Sequence, residues 1–278
     1  MVQPANVNIY VPFSLCDLVV TDKFFAPFRL YLFLKSTSYG QLKITLAKKQ
    51  ELAAALHVTV RTINNLLHQL QERNWIGHNT RTGWYFVRGF MKIGQLEGLT
   101  GKQAVELDVH KDLSSKEKFQ AFVVGAIIGR FARSSRYKWR EQHKRGSEYN
   151  KGNSKHNPQT APSFFPVSCE SIRMAKDPVH PPRMSLSTAW KYKQLAHKYG
   201  FIDLKQNLVR LPLGKDESEC DAPFAGAYKK ANPEVADRVR IIDGKVYLQE
   251  PDLVQERMRF VRKWKFSKNI SLSAKRHS

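Results

Sequence analysis

The sequence predicts a mostly α-helical chain with small β-hairpins, an α+β protein in which one unit of paired helices and a hairpin occurs twice. Three observations carry that expectation. Residues Val60 to Arg73 space Ile63, Leu66, Leu67 and Leu70 three and four apart, the period of a helix with one apolar stripe. Aromatic residues on either side of a polar turn follow directly. Both features return 126 residues later, so that Thr62 matches Thr188 and Trp75-Ile76 matches Phe201-Ile202. A length of 278 residues accommodates two domains, and 42% hydrophobic residues suffice for packed cores.

Leu42 to Thr45 predicts a short strand, and Lys48 to Leu56 (KKQELAAAL) a helix with Leu52, Ala55 and Leu56 on one face. Only His57, Val58 and Thr59 separate it from the next helix, and so short a joint requires a sharp crossing. Thr59 suits the N-cap, because its hydroxyl can accept a backbone N–H of the first turn. No Gly or Pro interrupts the helix before Gly77. Asn79 to Gly83 supplies turn residues between Trp75-Ile76 and the aromatic run Trp84, Phe86 and Phe90, which reads as a hairpin.

In the second copy, SLST and KYGFI bound a helix within Met184 to Leu213, with Gly200 at the position of Asn74. FIDL, Lys205-Gln206-Asn207 and LVRLPL predict a small hairpin behind it. Ser168 to Lys176 (SCESIRMAK) is the expected first helix of the pair, joined through DPVHPP. The apolar helix Lys116 to Arg133 is expected in the core of the same unit. Domain boundaries are therefore expected at 1–106 (core 28–90), 107–213 and 214–278. Two copies at a constant offset indicate a repeated domain, since a short-period solenoid needs more and closer copies.

Residues 133–159 contain eight Lys or Arg, against Glu141 and Glu148, and almost no aliphatic side chains. They read as a flexible basic insertion that orders on a polyanion. Ile241 to Leu248 (IIDGKVYL) has the Asp-Gly turn of a hairpin, and a basic helical tail is expected from Arg257. Net charge is +22, with +13 concentrated in residues 111–212 (20 basic, 7 acidic). Such an excess predicts a polyanionic partner, nucleic acid before membrane.

The residues LAAALHVTVRTINNLLHQLQERNWI resemble the helix-turn-helix core of the winged-helix superfamily of bacterial and phage DNA-binding proteins. His57 and Asn74 stand where that superfamily usually has Gly. The resemblance implies that the helix from Val60 enters a major groove with its first turns at base edges. It implies DNA contacts from Thr59, Arg61, Thr62, Asn64, Asn65 and His68, with Arg suited to guanine and Asn to adenine. In the second copy the matching faces carry Ser187, Trp190, Lys191 and Gln194, with Ser185 and Thr188 placed for phosphate. Arg81 and Lys205 are expected at the two wing tips. Arg136, Lys138, Arg140, Lys144 and Arg145 of the insertion, and Arg262, Lys263 and Lys265 of the tail, are expected phosphate contacts. Trp139 and Trp264, set among cations, are candidates for stacking on bases, against burial as the commoner fate of Trp.

Across residues 28–213 the architecture is also similar to plasmid and phage replication initiators, which pair two winged helices in a basic chain. That similarity implies sequence-specific binding of double-stranded DNA at a replication origin. A transcriptional regulator of a mobile element is the alternative. A third reading is a non-enzymatic nucleoprotein adaptor that binds nucleic acid without sequence preference, with one winged helix serving a homodimer or another protein partner. No enzyme activity, metal or cofactor is expected. The nine histidines form no H-x-x-x-H or H-x-H pair, no G-x-x-x-x-G-K-[ST] loop occurs, and the acidic pairs around Asp17 and Asp216 lack a metal-site framework. Cys16, Cys169 and Cys220 lie far apart, which suggests a reducing compartment and no zinc. No signal peptide and no run of 18 apolar residues is read, so the expected location is cytoplasmic, at the nucleoid of a bacterial or phage-infected cell.

Overall fold

The computed structural model describes residues 8–38, 40–101, 103–149, 162–174, 183–211 and 222–261. It is a helical protein with small antiparallel sheets, and the chain divides into two compact units, 1–127 with 258–278 and 128–257.

The first unit begins with β1 (Asn8–Pro12), α1 (Phe13–Thr21), α2 (Phe25–Thr37), β2 (Gln41–Lys43), α3 (Leu46–Leu56) and α4 (Val60–Glu72). It continues through β3 (Ile76–Asn79), β4 (Trp84–Val87), α5 (Phe90–Leu96), β5 (Ala104–Asp108) and α6 (Val109–Asp112) into α7 (Lys116–Tyr149). The predicted apolar stripe of α4 faces inward, with Ile63, Leu66, Leu67 and Leu70 all buried. Thr45 caps α3 by accepting Lys48 N–H at 3.3 Å, and Thr59 caps α4 by accepting Thr62 N–H at 3.1 Å. His57 (φ 53°) and Asn74 (φ 57°) both take left-handed backbone. Asn accepts that conformation readily, whereas at His57 it costs about 1 kcal/mol, offset by Val58 N–H donating to the Ala53 carbonyl at 2.9 Å.

Trp75 is fully buried and meets Phe24, Phe28 and Tyr31 edge-on at ring separations of 5.3, 5.8 and 5.4 Å. Phe28 also lies 5.8 Å from Phe119 of α7. The apolar start of α7 therefore belongs to the first unit, which corrects its expected place in the second and moves the first boundary from 106 to 127. Arg29 is buried here and donates to the carbonyls of Leu113 (3.0 and 2.5 Å) and Leu56 (3.2 Å), tying the end of α3 to the turn before α7. Burial lowers its guanidinium pKa.

The second unit contains the rest of α7, then β6 (Phe165–Pro166), α8 (Cys169–Arg173), α9 (Leu186–Lys198), β7 (Ile202–Arg210), α10 (Ala225–Ala231), β8 (Val239–Ile242) and β9 (Lys245–Glu256). Its sheet order, β6-β9-β7, parallels β2-β4-β3 of the first unit: in both, the strand before the helix pair lies beside the last strand. The repeat extends to individual bonds. Trp75 N–H donates to Leu70 O at 2.9 Å and Phe201 N–H to Ala196 O at 2.9 Å; Arg88 N–H donates to Trp75 O at 3.1 Å and Arg257 N–H to Phe201 O at 3.0 Å. Gly200 (φ 73°) takes the left-handed place of Asn74.

The expected Asp-Gly hairpin is present: Ile242 pairs with Lys245, and Asp243 (φ 49°) and Gly244 (φ 74°) form the turn with the positive φ angles that suit strand twist. Three expectations are corrected. Residues 202–210 do not turn back on themselves as a hairpin, because β7 runs unbroken to Arg210 against β9, with a bulge between Lys205 and Asn207; the expected end of that hairpin at residues 212–213 lies outside the described residues. The basic segment from Arg133 is helical to Tyr149, since it is rich in helix-forming Arg, Lys, Glu and Gln and has no Pro and no Gly before Gly146. The described part of the expected 214–278 region, residues 222–261, is not separate: β8 and β9 complete the second sheet, while β10 (Phe260–Val261) pairs with β5 of the first unit at the start of the expected helical tail, the rest of which lies outside the described residues. Phe260 stacks on Phe13 at 5.2 Å, which draws the chain there into an extended path.

Candidate nucleic-acid interface

Turning the apolar stripe of α4 inward points the intervening positions outward by helical geometry. Arg61, Asn64, Asn65 and His68 are all exposed. At the start of this face Thr59 Oγ1 lies 2.9 Å from Thr62 Oγ1, so the cap and its neighbour form a hydroxyl pair. His68 Nδ1 lies 3.4 Å from Glu72 Oε1 at the far end. Arg81 sits in the exposed β3–β4 turn, which Asn79 shapes by accepting the N–H groups of Arg81 (3.0 Å) and Thr82 (3.2 Å). The outward face of that sheet carries Trp84 and Phe86, both exposed, with Lys43 Nζ 5.7 Å from the Trp84 ring. Their outward placement follows from strand alternation, with Tyr85 half-buried and Val87 buried on the other face; the aromatic run alone did not indicate which residues stay exposed.

On α9, Ser187, Trp190 and Lys191 are exposed, and Gln194 is half-buried. Ser185 caps the helix by accepting Thr188 N–H at 3.2 Å, and its hydroxyl lies 2.9 Å from those of Ser187 and Thr188. The inner face holds a residue the sequence pattern did not reveal. Lys193, at the position of Leu67, is 1% exposed and donates to the Val167 carbonyl (2.7 Å) and to Asp252 Oδ2 (2.9 Å) on β9. This ammonium fixes the rotation of α9 against its sheet. Burial also pushes the nearby Cys169 thiol up, with Lys193 opposing the shift, so the thiol stays protonated.

The other expected contacts divide. Lys205 is exposed but lies in mid-strand beside the β7 bulge, its Nζ 4.4 Å above the Phe164 ring, so it is not a wing tip. Arg136 is engaged within the second unit: it donates to Glu256 at 2.6 and 3.1 Å and to the Ser163 carbonyl at 2.9 Å. It clamps Glu256 and the Ser163 carbonyl, a structural engagement that the expected phosphate contact did not include. Lys138 and Arg140 are exposed on α7, and Trp139 is half-buried with its ring stacked on His143 at 3.8 Å. Lys144 and Arg145 continue the same helix, but their side chains lie outside the described residues. So do Arg262, Lys263, Trp264 and Lys265 entirely.

Among the described residues no cluster of three His, Cys, Asp or Glu side chains is placed to hold a metal, and no helix is long and apolar enough to cross a membrane. No protein-family model, curated protein sequence or solved structure matches the chain.

Proposed function

We propose that the protein binds double-stranded DNA in a sequence-specific manner through two tandem winged helices, α3–α4 with β3–β4 and α8–α9 with β7–β9, and acts in the manner of a plasmid or phage replication initiator. One observation carries the reading: the same cap, helix and strand arrangement occurs twice, and each copy presents its base-contacting side chains on its outer face, all exposed except the half-buried Gln194. In α4 those side chains are Arg61, Asn64, Asn65 and His68, which match the donor and acceptor patterns of major-groove base edges. In α9 they are Ser187, Trp190, Lys191 and Gln194. A net charge of +22 supplies the sequence-independent attraction, and exposed Arg81, Lys138 and Arg140 are the backbone contacts that position the protein.

The test is selection from a random duplex pool at moderate salt with the full chain. Recovery of a motif long enough for two half-sites supports the reading, and tandem direct copies of it near an origin in the source genome support the initiator role. Inverted copies at a promoter support a regulator instead. Binding that collapses with salt and enriches no sequence rejects groove reading and leaves a nonspecific nucleoprotein adaptor.

A further inference from the structure

The outward face of α9 differs in kind from that of α4. At the 126-residue offset Trp190 stands for Asn64 and Leu186 for Val60. Trp190 is 57% and Leu186 47% exposed, and residues four apart on a helix are neighbours on one face. The same helix buries a lysine on its inner side, the reverse of the ordinary distribution of polar and apolar residues.

We propose that Leu186 and Trp190 form an apolar surface that reads the C5-methyl group of pyrimidines, in thymine or 5-methylcytosine, in the major groove. The inference rests on the DNA-binding reading above and adds to it what the second helix recognises. The C5-methyl is the apolar feature of a major-groove edge that otherwise presents hydrogen-bonding groups. Ser187 and Lys191, exposed on the same helix, supply donors for the neighbouring acceptors. Their polar company, and the +9 of the second unit (residues 128–257, 24 basic and 15 acidic), favour DNA over a protein partner, whose interface core is depleted in charge.

The experiment uses the full chain and the duplex recovered by selection, with each thymine replaced singly by deoxyuridine, which lacks the methyl. One or two positions should lose about fourfold in affinity, ~0.8 kcal/mol for one methyl-sized group. Trp190→Ala should bind thymine and uracil duplexes equally, whereas Arg61→Ala should retain the difference. Trp190→Asn, the residue of the first copy, checks the result in a variant with an ordinary exposed side chain. At a sensitive position, a cytosine whose 5-methyl form regains affinity confirms that the methyl is read. Parallel selections from methylated and unmethylated pools then show whether thymine or 5-methylcytosine supplies it. Equal binding of thymine and uracil at every position overturns the inference while leaving sequence-specific binding intact. So does a Trp190→Ala variant that changes oligomeric state but keeps the thymine-to-uracil ratio, since that marks a protein interface. Failure to enrich any motif overturns the DNA-binding reading itself, and this inference with it, before a uracil duplex is made.

Discussion

Lys193 offers a quantitative test of how α9 is seated. Its side chain is 1% exposed and that of Asp252 18%, with Nζ 2.9 Å from Oδ2 and 2.7 Å from the Val167 carbonyl. Lys193→Met strands a mostly buried carboxylate and leaves the Val167 carbonyl without this donor. Breaking a buried pair from one side costs ~3–5 kcal/mol, and the partial exposure of Asp252 places the loss near ~3 kcal/mol. Adding Asp252→Leu removes the stranded charge, so the double variant should recover to about 1 kcal/mol below the native protein, the remaining cost of an orphaned carbonyl. Urea unfolding followed by tryptophan fluorescence and circular dichroism measures both. Leu67→Ala, at the equivalent position of α4, marks the transition of the first unit with a loss of ~2–5 kcal/mol. A Lys193→Met variant within about 0.5 kcal/mol of native, or a double variant no more stable than the single one, would refute the role of this buried pair in seating α9.

Other outcomes follow from the same geometry. Arg61→Ala and Asn65→Ala should each relax base preference by ~1–3 kcal/mol, read by competing selected against singly mismatched duplexes; unchanged preference removes α4 from the groove. Lys138→Gln with Arg140→Gln should keep the selected motif while flattening log affinity against log salt by ~0.9 for each phosphate that is no longer neutralised. An identical slope shows that α7 does not touch the backbone. Burial pushes the Asp112 carboxyl up, against the opposing Asp108 N–H and the nearby Lys118. Its folded pKa therefore exceeds its unfolded value, so the acid form favours folding and that advantage is lost as pH rises through the shifted range. Asp112→Asn should accordingly be more stable than native at pH 7 and not at pH 3, by thermal midpoint; the opposite trend would contradict the assignment.

Much of the helix pair was legible in sequence because local signals agreed there. The α4 stripe, the Thr59 cap, the match of Gly200 to Asn74, and the Asp243-Gly244 turn each involve residues close together in the chain. What escaped reading was non-local or misled by polarity. β1, β5 and β10 are short strands nearly 100 and then about 150 residues apart, and nothing local announces their pairing. Lys205-Gln206-Asn207 has the composition of a turn, yet β9, arriving much later in sequence, holds it as a bulged strand. The charged second half of α7 resembled a linker, although its residues are good helix formers. Lys193 occupies an apolar position, and only the carboxylate of a distant strand explains its burial.

The claim that both units read DNA is tested most directly by repeating the duplex selection with two variants in parallel, Arg61→Ala/Asn65→Ala and Lys191→Ala/Gln194→Ala. The account predicts that each variant loses base preference in a different half of the recovered motif, with the halves about one helical turn apart. Loss confined to the same half for both variants, or an unaltered motif in either, would contradict it.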